Sequence, residues 1–245
     1  MKINKFKKVG KNKYKIYFDN SEIILFEDII LKYDLLIKKD MDVDLLDEVI
    51  LENKYYEACD LALGYIEIKM RNKKEIIKYL SKKEFNDNEI NYAIDKLESQ
   101  NLLNNKSYIV AFINDKVNLS LDGPLKIRKS LVELDFNENE IDEYLNTFDD
   151  DIWKDKIIKI INKKKSLMKN KSYFMFINKM KNDLYNMGYS SDMIDEYLSS
   201  IEYESNSIDK ELSKLKRKYN DKNKIINSLL RKGYTYEEIK SKLSE

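Results

Sequence analysis

The sequence predicts a mainly α fold: tandem three-helix repeats forming an elongated, curved solenoid, with a small N-terminal α+β module of a β-hairpin plus helices. Three observations predict it. Five glycines and one proline in 245 residues leave few chain breakers, whereas sheets need many turns. Four segments align with one another without gaps, which implies stacked units. Strand-like alternation is confined to the first thirty residues or so.

The first element is the module at residues 1–54. In "KYKIYFDNSEIILFE", Tyr14, Ile16 and Phe18 share one face, the pattern breaks at Asp19-Asn20-Ser21, and an apolar run follows. That is a hairpin signal. "EDIILKYDLL" and "DLLDEVILENKYY" then read as helices.

The repeat occupies the remainder, with units expected at 55–103, 104–150, 151–203 and 204–245. Its four copies are "YLSKKEFNDNEINYAI", "SLVELDFNENEIDEYL", "DLYNMGYSSDMIDEYL" and "SLLRKGYTYEEIKSKL". Each has an anchor leucine, Leu80, Leu131, Leu184 or Leu229, spaced 51, 53 and 45 residues apart. Five residues on stands an aromatic, Phe85, Phe136, Tyr189 or Tyr234, and ten on an isoleucine, Ile90, Ile141, Ile194 or Ile239. These twelve positions are the predicted repeat core. Each copy reads as two helices about a tight turn. Gly188 and Gly233 stand where a left-handed cap is wanted. Glu84 and Asp135 replace them in the first two copies and are expected to turn by another route. Asn86, Asn137, Ser190 and Thr235 are placed to cap the next helix, and Glu89 and Glu140 to complete capping boxes. A further helix precedes each pair: "EACDLALGYIEIK", "KSYIVAFINDKV", "DIWKDKIIKIINKKKSLMK" and "SIDKELSKLKRKY". Pro124, the only proline, opens the middle helix of the second copy, where its missing N–H is not needed.

Composition narrows the chemistry. There is no histidine, which removes most general-base, triad and zinc designs. "SLMK", Ser166–Lys169, matches a serine–lysine nucleophile pattern, but its companion motifs are absent and a lysine-rich helix explains it. No phosphate-binding glycine loop is present. The expectation is no enzyme, no metal and no cofactor. Cys59 lies among Ala58, Leu61 and Ala62 and reads as a core thiol; a single cysteine permits no internal disulfide and fits a reducing cytoplasm. No apolar run is long enough to span a membrane.

Net charge is +1, but its distribution is uneven. Residues 133–151 hold nine acids and no base, residues 151–181 hold ten lysines against two acids, and residues 207–232 hold nine bases against three acids. A lysine tract of this kind is either a solvated face or a contact for phosphate or an acidic protein surface.

Several stretches together carry a resemblance. These are "ACDLALGYIEIKMRNKKEIIKYLSKKEF" from Ala58, "NLLNNKSYIVAFINDKV", "GPLKIRKSL" from Gly123, and "MKNDLYNMGYSSDMIDEYL". In order and spacing they resemble the RecX family of bacterial recombinase regulators over about residues 55–202, with the N-terminal module and fourth copy similar to its longer Gram-positive members. The resemblance implies a cytoplasmic, non-enzymatic monomer. It would bind the RecA nucleoprotein filament in its groove and limit its extension, ATP hydrolysis, strand exchange and co-protease activity during DNA repair. It makes two basic groups the candidate partner contacts: Arg71, Lys73, Lys126 and Arg128 at middle-helix starts, and Lys159, Lys163, Lys164 and Lys165 in the third copy. Cations at a helix start oppose its dipole, which at Lys73 and Lys126 points to a use beyond the helix itself. The alternative is direct binding of single- or double-stranded DNA through the lysine tracts.

Overall fold

The structure, a computed structural model, describes residues 1–168, 171–199, 201–202 and 207–244. It divides into two compact units, Met1–Tyr108 and Ile109–Glu245. The expected unit boundary at 203/204 and Lys169 of the serine–lysine match lie outside the described residues.

In the first unit β1 (Lys5–Lys8), β2 (Lys13–Tyr17) and β3 (Glu22–Phe26) form an antiparallel sheet in that order. The expected hairpin is β2–β3, with Ile16 opposite Ile23 and Tyr14 opposite Leu25. A third strand is added to it. β1 reads "KFKK", with one apolar side chain and three lysines, so no alternation announced it. Its pairing is fixed by the backbone ladder, Phe6 opposite Ile16. Ile16 and Leu25 are buried under α1 (Glu27–Lys32) and the start of α2 (Val43–Ile68).

α2 corrects a second expectation. Two predicted helices, "DLLDEVILENKYY" and "EACDLALGYIEIK", are one helix of 26 residues, unbroken through position 54. No breaker separates them, and Asp42 caps the start by accepting the Leu45 amide. The periodic signal shifts because the helix serves two cores. Its first half presents Val49, Leu45 and Tyr56 to the sheet, and its second half packs Ala58, Cys59 and Ala62 on α3 (Lys73–Ser81) and α4 (Asp87–Ser99). Between the halves Asn53 ties α2 to β3, accepting from the Phe26 amide at 2.9 Å and donating to the Ile24 carbonyl at 3.1 Å. Burial pushes the Cys59 thiol up to about 11, as befits a core thiol.

α5 (Asn105–Leu119) leads into the second unit. There follow α6 (Pro124–Val132), α7 (Glu138–Leu145), α8 (Asp150–Leu167), α9 (Tyr173–Asn186), α10 (Ser191–Ser199), α11 (Ser207–Lys218), α12 (Lys222–Arg231) and α13 (Tyr236–Ser244). Pro124 occupies the first turn of α6 behind Gly123.

The turn of every copy is one hydrogen-bonded motif, and this explains the repeat's spacing. The aromatic amide donates to the carbonyl of the anchor leucine five residues back: Phe85 to Leu80, Phe136 to Leu131, Tyr189 to Leu184 and Tyr234 to Leu229, all at 3.2–3.3 Å. The preceding amide donates to the residue after the anchor, as from Gly188 to Tyr185 at 2.9 Å. This is the Schellman arrangement, whose hydrophobic contact joins those same two positions. Phe136, Tyr189 and Tyr234 are buried accordingly, while Phe85 is half-buried. Glu84 and Asp135 do not turn by another route. They adopt the left-handed conformation themselves, at φ 67° and 65°, beside Gly188 at 86° and Gly233 at 79°. Asn86 and Glu89 form the expected capping box, but Asn137 caps α7 without the reciprocal bond from Glu140. A box that was not expected stands at Asn72 and Glu75, and another at Thr235 and Glu238.

Within the second unit the copies lock by a common device: the start of one middle helix meets the Schellman turn of the next copy. The Gly123 amide donates to the Met187 carbonyl at 2.6 Å, the Leu125 amide to Gly188 at 3.0 Å, and the Tyr189 hydroxyl to the Leu121 carbonyl at 3.0 Å. At the following junction Ser172, the cap of α9, donates to the Lys232 carbonyl at 2.7 Å, and Tyr234 is hydrogen-bonded to Ser207. The backbones touch: a Cβ on Gly123 would stand 2.5 Å from the Gly188 oxygen, and one on Gly188 2.3 Å from the Lys126 nitrogen.

Candidate partner-binding surface

The middle-helix starts hold four of the eight candidate cations, and the structure engages all four. Arg71 lies with its guanidinium 4.1 Å from the Tyr65 ring centre, and Tyr65 stacks in turn on Tyr79 at 4.2 Å. Its Nη1 reaches Glu75 at 3.2 Å, the residue that also closes the Asn72 capping box. Lys73 is exposed, 3.4 Å from Glu98. Lys126 pairs with Asp122 at 2.7 Å. Arg128 grips Asp142 with both prongs, at 2.7 and 3.0 Å, and Glu138 at 2.6 Å, so it clamps α6 to α7. The Asp142 and Glu138 carboxylates raise its pKa further above an already high value. These pairs answer the dipole argument locally: each cation has a carboxylate beside it.

The α8 tract separates by helical face. Trp153, Ile157, Ile160 and Ile161 are buried, and Lys156 is buried with them. Its ammonium donates to the Lys116 carbonyl at 3.4 Å, near the end of α5, where the helix dipole favours a cation. Burial lowers its pKa all the same. Lys164 pairs with Asp183 on α9 at 2.7 Å, and Lys165 donates to the Glu202 carbonyl. Lys159 and Lys163 point outward on successive turns, exposed and without an ion pair among the described residues. The tract thus yields two free charges, not four.

The charge of residues 207–232 was counted in the sequence without a contact residue being named there, and the structure gives that charge a face. On α11, Ile208, Leu212 and Leu215 face the core, and Lys210, Lys214 and Arg217 fall at i, i+4 and i+7 on the opposite face, all exposed. Lys214 shares Glu211 with Lys232, and Lys210 and Arg217 have no ion pair among the described residues. The signal was legible: a +6 segment read on a helical wheel places its charges on one side.

A groove of about 490 Å³ lies along the first of the two junctions, between α6 and the α9–α10 turn, lined by Leu125, Lys126, Lys129, Glu133, Tyr185 and Tyr189. Among the described residues no group of three or more metal-ligating side chains comes together. No described helix is long and apolar enough to cross a membrane. What the geometry offers is a set of helical surfaces with exposed cations and exposed apolar side chains.

Comparison with known proteins places the chain. Residues 58–97 match the model of the first three-helix domain of RecX. The regulatory protein RecX of Streptococcus agalactiae serotype V is 30% identical over 204 residues, covering 82% of this chain and 78% of that protein. RecX of Lactococcus lactis subsp. lactis is 29% identical over 208 residues, covering 82% and 75%. A crystal structure of regulatory protein RecX shares the fold with a TM-score of 0.69 at 22% identity, over 82% of this chain and 100% of the other. That of RecX from Lactobacillus salivarius gives 0.55 at 25% identity, over 61% and 99%. With a relative 30% identical over most of both chains, the protein belongs to the RecX family of regulatory proteins.

Proposed function

We propose that this protein binds the RecA nucleoprotein filament and restrains it, limiting filament extension and damping ATP hydrolysis, strand exchange and co-protease activity, without chemistry of its own. Membership of a regulatory family carries the reading. The architecture supports it: stacked helical units make long surfaces suited to a polymeric partner. On this reading residues 55–103, 104–150, 151–203 and 204–245 act as the stacking units, in the cytoplasm, as a monomer. Of the eight candidate cations, Lys159 and Lys163 are the ones available to a partner as they stand; Arg71, Lys73, Lys126 and Arg128 serve by shaping the helix starts around them. The test is single-stranded-DNA-dependent ATP hydrolysis by the cognate RecA. Substoichiometric protein should suppress it; no effect across a full titration would refute the proposal.

A second reading, direct contact with nucleic acid, is favoured by one observation: the outward ridge Lys210, Lys214 and Arg217 on α11. A cationic helix face of this kind contacts phosphates without reading sequence.

A further inference from the structure

The N-terminal module carries a charge cluster that the helical repeat does not use. Residues 1–18 hold seven lysines and no acid, about twice the density of basic residues in the whole chain. The sheet gives this charge a face. Cross-strand partners lie on one side of a sheet, and neighbours along a strand on opposite sides. Lys5 stands opposite Tyr17, Lys7 opposite Lys15, Lys15 opposite Ile24 and Lys13 opposite Phe26. Phe6, Tyr14, Ile16, Ile23 and Leu25 take the other side and pack into the core. Lys5, Lys7, Lys13 and Lys15 therefore share the outer face. Phe26, at the end of that face, is covered by Tyr56 of α2 and by Lys13, whose ammonium lies 4.8 Å from the ring centre.

Two carboxylates pair with this face: Glu22 with Lys15 at 2.5 Å, and Asp60 of α2 with Lys13 at 2.6 Å. Two more acids stand at its ends. Asp19, at the β2–β3 turn, accepts from Asn4 at 2.9 Å, and Glu27 meets the β1–β2 turn through its amide, bonded to the Asn12 carbonyl. Lys5 and Lys7 are exposed and have no ion pair among the described residues. Lysines on an edge strand also keep other chains from pairing with it. That accounts for β1, which is an edge, but not for Lys13 and Lys15 on the central strand. Sheet stability does not account for them either, since Lys7 directly opposite Lys15 sets like charges against each other. The surroundings choose the occupant. The exposed apolar side chains are marginal, Ile24 on β3 and Val9 beyond the end of β1. A protein interface wants an apolar core depleted in charge, and stable seating on a membrane wants an inserted chain beside the basic patch. A phosphate backbone asks only for cations.

We infer that the outer face of the N-terminal sheet is a contact for the phosphate backbone of a nucleic-acid strand, with Lys5 and Lys7 supplying its free charges. A lysine is a point charge on a flexible stem, so the contact holds the backbone without reading bases. The inference goes beyond the filament reading and does not rest on it. It gives the N-terminal module a partner of its own, through residues other than those of α8 and α11.

The test uses the full chain with Lys5→Gln and Lys7→Gln together, and with Lys5→Glu and Lys7→Glu together. Lys82→Gln with Lys83→Gln is the control, the same change of charge on exposed residues just past α3. All these positions are exposed, so melting temperatures should match the parent. Binding to labelled single-stranded and duplex DNA of unrelated base sequences is read by fluorescence anisotropy from about 0.05 to 0.2 M salt. Each phosphate contact contributes about 0.7–0.9 to the slope of log affinity against log salt. The glutamine pair should therefore flatten the slope by about 1.5 and weaken binding at least about tenfold at the lowest salt, alike for every base sequence. The glutamate pair should weaken it further, and the control should stay near the parent. A parent that does not bind DNA at the lowest salt, or sheet variants that keep its affinity and slope, would overturn the inference. So would a control that loses as much, since net charge rather than the sheet would then govern. Binding to polyglutamate or to phosphatidylserine vesicles as tight as to DNA, and lost with Lys5 and Lys7, would overturn it in favour of an acidic protein or a lipid surface. Inhibition of RecA ATP hydrolysis by the parent is measured alongside. Failure of the sheet contact leaves that inhibition in place, and failure of the filament reading leaves the DNA binding in place.

Discussion

Replacing Gly188 by alanine tests the junction between the second and third copies, because two independent costs meet there. Gly188 sits at φ 86°, a conformation that costs an L-residue about 1–2 kcal/mol. The added methyl would also lie 2.3 Å from the Lys126 nitrogen and 2.4 Å from its Cβ, atoms of a helix start that cannot swing away as a side-chain tip can. Overpacking of this kind typically costs about 1–3 kcal/mol. Together Gly188→Ala should lose about 2–5 kcal/mol. Gly123→Ala separates the two causes. Its φ of −82° suits any residue, so only the clash with the Gly188 carbonyl remains, at about 1–3 kcal/mol. Gly64→Ala is the opposite control: the position is helical, with nothing within 4 Å of the new methyl, and stability should rise by about 0.5–1 kcal/mol. Urea unfolding followed by circular dichroism measures all three. A Gly188→Ala protein as stable as the parent would refute the backbone contact on which the stacking argument depends.

Four further outcomes are expected. Glu84→Gly should raise stability by about 0.5–1 kcal/mol in the same assay, since the exposed glutamate holds a left-handed conformation that glycine adopts freely. Lys156→Met should raise the melting temperature at pH 7, by about 0.5–2 kcal/mol equivalent, because a charge that burial disfavours is replaced by a thioether of similar length. Stability should fall in acid. Burial pushes Asp122 and Asp183 up, but Lys126 and Lys116 outweigh this at the first and Lys164 and Lys179 at the second, so both carboxyls titrate below their ordinary 3.8. Glu211, held by Lys232 and Lys214, likewise lies below 4.5. Groups lowered in the folded state contribute fully above their unfolded values and lose that contribution as pH falls through the folded ones, so melting temperature should be level above about pH 5 and drop below about pH 4. Finally, Lys159→Glu with Lys163→Glu should weaken filament binding at about 0.1 M salt while leaving the helical spectrum unchanged. Reversing Lys164 as well would set a carboxylate against Asp183 and perturb the fold, so the two free lysines make the cleaner test.

The helical repeat was legible because it is written in spacing. A leucine and an aromatic five residues apart are the two ends of a Schellman turn, and ten and fourteen residues on the next helix returns to the same core. What the sequence concealed has physical reasons. β1 owes its place to backbone pairing and carries lysines that no alternation rule would select. α2 hid its continuity because its two halves face different cores. Glu84 hid its left-handed turn because residue preference argues against it and the surrounding turn overrides that preference, whereas aspartate visits this conformation more readily and Asp135 could have been read. The charged surface was the least legible part. Lysine counts do not distinguish Lys156, under the end of α5, from Lys159, one turn on and in solvent. They also do not show that Arg128 is spent on Asp142 and Glu138. The exposure of Leu119 at the end of α5 cannot be read from sequence at all, since an amphipathic pattern gives no reason for a leucine at a helix's last residue.

The most direct test of the central claim compares the affinity of this protein for a RecA filament on single-stranded DNA with its affinity for the same DNA bare, across a salt titration. Filament recognition through protein contacts predicts tight binding to the filament, much weaker binding to bare DNA, and a shallow salt dependence for the filament. Equal affinity for both, falling steeply with salt, would contradict it and assign the protein to direct phosphate binding through α8 and α11.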